Sequence, residues 1–143
     1  MSSYTNQASI LGEIQISELI RLTDDAPQQQ KINQTILAQV IANASGEIDR
    51  LVGNVYDVPF NPVPQSVSSM ALIIACYRLF RRRLVPDEQN KYFPDYRDIR
   101  AFLNKVHKRE DVLDLSATAD FSQVAADVRP TIFGYGNCLA NSM

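Results

Sequence analysis

Residues 32–55 read INQTILAQVIANASGEIDRLVGNV, and their spacing sets the architecture of the whole chain. Ile32, Ile36, Leu37, Val40, Ile41, Ala44, Ile48, Leu51, Val52 and Val55 recur at intervals of three, four and one. That is a single apolar stripe on a helix of period 3.6. Asn33, Gln34, Gln39, Asn43, Glu47, Asp49 and Arg50 are expected to fill the solvent face. Gly46 is the weak position, costing about 1 kcal/mol against alanine. It is read as a place where another helix comes close.

Downstream, Pro59, Pro62 and Pro64 fix φ and push their preceding residues toward extended geometry. Residues 57–64 are therefore expected to cross the surface as a strap. A third helix follows from about Gln65 to Leu84. Met70 to Cys76 are apolar on every side, so this helix should be buried on every side. It ends in Arg78, Arg81, Arg82 and Arg83, a favourable sign for a helix C-terminus. Pro86, Asp87 and Glu88 restart the chain. Tyr92, Tyr96, Ile99, Phe102, Leu103 and Val106 keep helical spacing, with either a kink at Pro94 or two helices separated at Phe93.

Upstream, Ser17 is read as the N-cap of a short helix ending at Leu22, closed by Thr23, Asp24, Asp25 and Pro27. Residues 1–12 offer little apolar surface and are expected to be a flexible arm. Residues 111–143 are read as an extended C-terminal arm with room for one short β segment. The fold class is mainly α: a small helical bundle over residues 13–110, with the strap and the arm attached.

Bulk properties narrow the function. The chain has 143 residues and a net charge of −2, with 45% hydrophobic and 21% charged residues. That is one ordinary domain, without the basic excess of a duplex-binding protein. The polar start of the chain has no apolar signal core, and Met70–Tyr77 is too short to span a bilayer. Cys76 sits in the most apolar stretch and Cys138 in a polar one. A disulfide would need the tail to dock on a buried helix, so both are read as reduced thiols.

Chemistry-bearing patterns are sparse. The sole histidine, His107, lies at a basic helix end with Lys105 and Lys108, near Asp111 but without a marked nucleophile, and is read as a solvated terminal residue. Asp24, Asp25, Glu47, Asp49 and Asp57 lack the alternating spacing of a calcium loop. Glu47 and Asp49 are expected on a helix surface or paired with arginines. Gly134 and Gly136 form an isolated GxG, read as a turn. Neither a metal, a cofactor nor a catalytic set is expected, and the chain is read as a non-enzyme. The aromatics Tyr92, Phe93, Tyr96 and Phe102 are read as core packing over a stacking platform. Arg78, Arg81, Arg82 and Arg83 are the one charge cluster. They are candidates for a subunit interface, with a solvated helix end and a phosphate contact as the alternatives. Phe133 and Tyr135 are added as candidate interface residues of the arm.

In order along the chain stand Leu22-Thr23-Asp24, Ala44-Ser45 with Glu47-Ile48-Asp49, Tyr56 with Val58-Pro59, Val63-Pro64, Ile74-Ala75 with Tyr77-Arg78-Leu79-Phe80-Arg81-Arg82, and Tyr96, Ile99, Phe102-Leu103. This ordered set, over about residues 14–108, resembles the head–tail connector (neck adaptor) proteins of Mu-like phages and prophages. Ile73 stands where that family often has an acid, and Pro94 is unusual for it. The resemblance implies a helical adaptor in the virion neck, made in the host cytoplasm. It would assemble with itself as a ring of about twelve copies. Its neighbours would be a portal protein and a tail-completion or tail-terminator protein, with DNA only as cargo and no membrane. The competing reading is a small nucleic-acid-binding regulator.

Overall fold

The computed structural model describes residues 3–24 and 31–116. They form five α-helices, α1 (Gln7–Glu13), α2 (Ile16–Thr23), α3 (Gln34–Val52), α4 (Gln65–Arg82) and α5 (Phe93–His107), with a single 3₁₀ turn at Asp87–Gln89. Among the described residues there is no β-strand, and no helix is long and apolar enough to cross a membrane. Of the stretch expected to hold a β segment, residues 111–116 contain none and the rest lies outside the described residues.

α3, α4 and α5 are the body, and each packs on the other two. The start of α3 lies by the ends of α2 and α4: Thr23 Oγ1 accepts from the Asn33 N–H at 3.1 Å, and Arg82 reaches the Leu22 carbonyl. The end of α3 lies by the end of α5, where Asn54 Nδ2 donates to the His107 carbonyl at 3.0 Å. So α4 runs antiparallel to both neighbours. The α3 stripe lands in the core through Leu37, Val40, Ile41, Ala44, Ile48, Leu51 and Val52. α4 is covered on all sides along its apolar run. Met70, Ala71, Ile74, Ala75, Cys76 and Tyr77 are buried, and Leu72 and Ile73 half-buried. Burial pushes the Cys76 thiol up to about 12, as expected for a thiol that acts as a small hydrophobe. Cys138 lies outside the described residues.

Several local expectations need correction. The segment up to residue 12 is not a flexible arm over residues 3–12. Tyr4 and Ile10 are fully buried, and α1 begins at Gln7, capped by Asn6 accepting from the Ser9 N–H at 2.8 Å. Few apolar residues are needed when one aromatic is inserted into a prepared slot. The Tyr4 N–H donates to Ser45 Oγ at 3.0 Å, and its hydroxyl donates to Asp49 while accepting from the Phe60 N–H at 3.0 Å. Ser17 lies inside α2, whose cap position is Gln15. Of the two alternatives for the stretch around Pro94 the separation is found, with α5 starting at Phe93 after the turn at Asp87–Gln89, and no kink arises at Pro94. This proline sits in the first turn of α5, where its missing N–H has no partner to lose. Among the described residues Gly46 marks no close approach, because a Cβ there would meet nothing within 4 Å. The tight glycine is Gly53, where a Cβ would stand 2.7 Å from the Asp49 carbonyl oxygen.

The strap carries Phe60, buried against the rings of Tyr4 and Tyr56. It passes through cis peptides at Val58–Pro59 and Asn61–Pro62. The first residues after α5 dock beside it. Leu113 is buried, its N–H donates to the Tyr56 hydroxyl at 3.0 Å, and Ser66 Oγ donates to the Asp114 carbonyl at 2.6 Å.

Because Tyr4 joins the N-terminal segment, α3 and the strap through one hydroxyl, Tyr4→Phe should cost about 1–3 kcal/mol. Urea denaturation at pH 7 reads it. A flexible arm at this position would leave the midpoint unchanged.

Candidate functional site

The charged groups converge on Glu47. Its Cα lies on the edge of the α3 stripe, three residues after Ala44 and four before Leu51, so its carboxylate points into the junction of α3, α4 and α5. It is 1% exposed. An unmatched carboxylate there would be costly. Three groups match it: Arg78 of α4 bonds one oxygen, while Arg100 Nη1 and the Tyr96 hydroxyl of α5 each donate to the other at 2.9 Å. Burial alone would raise the Glu47 pKa. The bonds from Arg78, Arg100 and Tyr96 outweigh it and hold the carboxyl below its ordinary range. Tyr96 moves the other way, raised by burial first and then by its bond to the carboxylate. The sequence reading placed Glu47 on the solvent face. Its pairing with arginines was among the alternatives, and the pairing is what occurs, with the carboxylate buried.

Beside this cluster Tyr77 stacks on Tyr96, centroids 4.0 Å apart and planes within 7°. Tyr77 also meets Phe93, and Phe80 meets Tyr92. The aromatics of α5 therefore form the seam with α4, as core packing requires.

The four arginines of the α4 end do not form one patch. Arg78 is bound to Glu47, with its side chain 35% exposed. Arg81 Nη1 donates to the Tyr77 hydroxyl at 2.8 Å, which donates in turn to Asp87 at 2.9 Å. Arg82 Nη1 donates to the Leu22 carbonyl at 2.7 Å, and Arg83 Nη1 to the Asp24 carbonyl at 3.2 Å. These last two satisfy the open carbonyl end of α2. Phe133 and Tyr135 lie outside the described residues. His107 is exposed and its Nδ1 lies 3.1 Å from the Leu51 carbonyl oxygen, a contact between the ends of two helices. Asp111 does not orient it, and accepts from the Val112 N–H.

The buried carboxylate makes a pH-dependent contribution of definite sign. Its folded pKa is depressed, so the unfolded chain takes up the proton first as pH falls. The stabilisation is complete above the unfolded glutamate value of about 4.3 and is lost as pH drops through the lower folded value. Glu47→Ala should cost about 3 kcal/mol at pH 7, the low end for breaking a buried pair, because both arginines are already about a third exposed and can return to water. The gap between variant and wild type in urea midpoint should narrow as the pH is lowered below 4. A gap that stays constant with pH would remove the charge from the account.

A search of curated proteins finds no match. A protein family does match, and over more of the chain than the resemblance noted from sequence, taking in Tyr4 at one end and part of the residues after α5 at the other. That family is described as Bacteriophage Mu, Gp36, its match covers residues 4–129, and this chain belongs to it.

Proposed function

We propose that this chain is a structural head–tail connector, a neck adaptor subunit that forms a ring of about twelve copies between portal and tail. It acts by assembly, not turnover, and without a cofactor. Its partners are further copies of itself, the portal protein, and a tail-completion or tail-terminator protein. DNA passes through the ring as cargo. The site of action is the neck of the virion.

The observation that carries this reading is membership of a Mu phage family across most of the chain, in a body where a few charged groups join the helices. Glu47, Arg78 and Arg100 lock α3, α4 and α5 at one point. A subunit fixed in this way can pack repeatedly without changing shape, as a ring requires. Arg82 and Arg83 are bonded to the end of α2, which leaves less of the arginine run for phosphates. The net charge of −2 suits a channel that passes DNA without gripping it.

Light scattering and negative-stain microscopy of the purified chain, alone and mixed with its portal, test the proposal. The expected result is a ring, or a monomer that the portal recruits into one. A monomer that ignores the portal and retards duplex DNA at moderate salt would overturn it in favour of a regulator.

A further inference from the structure

Two helices in this chain end in the same way. After α4, the Leu84 N–H bonds the Arg81 carbonyl at 2.9 Å and the Val85 N–H the Phe80 carbonyl at 3.4 Å, with Leu84 at φ 61°. After α5, the Arg109 N–H bonds the Val106 carbonyl at 2.9 Å and the Glu110 N–H the Lys105 carbonyl at 2.7 Å, with Arg109 at φ 63°. Both residues occupy the left-handed position that glycine fills without strain. Arg109 has a reason to be there, since its guanidinium donates to the Asn54 carbonyl at 3.1 Å. Leu84 has none among the described residues. It is 89% exposed, so a strained backbone position holds a large apolar side chain in water.

We infer that Leu84 is an anchor between copies of this chain, seating in the groove that Phe80 floors on the neighbouring copy. The inference rests on the proposed assembly of copies. The groove encloses about 490 Å³ between the α1–α2 elbow and the turn after α4. Glu13, Ile14 and Glu18 form one wall, and Gln89 and Lys91 the other. A chain's own Leu84 does not line it. The exposed Ile16 stands at the same elbow. Arg83 precedes Leu84 and Asp87 follows it, and the groove likewise carries both signs, in Glu13, Glu18 and Lys91. Phe80, Gln89 and Lys91 stand on either side of Leu84 in the chain, so anchor and groove lie at the same end of the subunit.

Leu84→Gly separates this role from a role in folding. It relieves the backbone and removes a side chain that touches little in its own chain. Thermal melting of the dilute variant should give a midpoint equal to wild type or higher. Self-association, by sedimentation over a concentration series, should weaken by about tenfold or more. Gln89→Trp, which fills the groove, should weaken it from the other side. If wild-type copies assemble and both variants assemble equally well, this contact is wrong while the ring stands. A lowered midpoint for Leu84→Gly would assign the side chain to the fold and overturn the anchor. If wild-type copies never assemble, alone or on the portal, anchor and ring fall together.

Discussion

The body of this protein depends on one buried carboxylate. Aliphatic side chains, with aromatics along the α4–α5 seam, cover the facing sides of α3, α4 and α5, and apolar contacts alone fix the register of one helix along another less sharply than a buried charge does. Sliding α4 or α5 by a turn would carry Arg78, or Arg100 and Tyr96, out of reach and leave a charge buried without a partner. The cluster therefore selects one register out of several that the apolar faces alone would allow. The Tyr77–Tyr96 stack extends the same constraint along the α4–α5 seam.

The remaining pieces are fastened to that body by hydroxyl and guanidinium groups bonding backbone atoms. Tyr4 holds the N-terminal segment to α3 and the strap, Tyr56 holds the residues after α5, and Arg82 and Arg83 close the end of α2. In each case a long side chain supplies the partner that an irregular segment lacks. That lets segments with few apolar residues pack on the bundle.

What could be read from the sequence was what local periodicity encodes. The α3 stripe, the all-round apolar α4 and the proline strap fell where spacing placed them. The N-terminal segment was misread because the partners of Tyr4 are Ser45, Asp49 and Phe60, distant in sequence and visible to no local pattern. The arginine run showed its charge in the sequence but not its partners. Arg78 bonds Glu47, Arg81 bonds Tyr77, and Arg82 with Arg83 bond the end of α2, partners distant in sequence or across the turn that no run of arginines announces. Glu47 left one faint trace, its position on the edge of the apolar stripe. Only the arrival of Arg78 and Arg100 from other helices makes that position tolerable. Leu84 left no trace at all, since its backbone angle appears only in three dimensions.

A rigid helical body of a Mu phage family, with an exposed Leu84 beside a groove at the end of α4, offers a surface for contact between copies. The most direct measurement of that account is the copy number of this chain in purified virions, by quantitative mass spectrometry against the portal protein. The account predicts a fixed ring stoichiometry of about twelve, retained when tails are attached. Virions that carry no copy of the chain would contradict it.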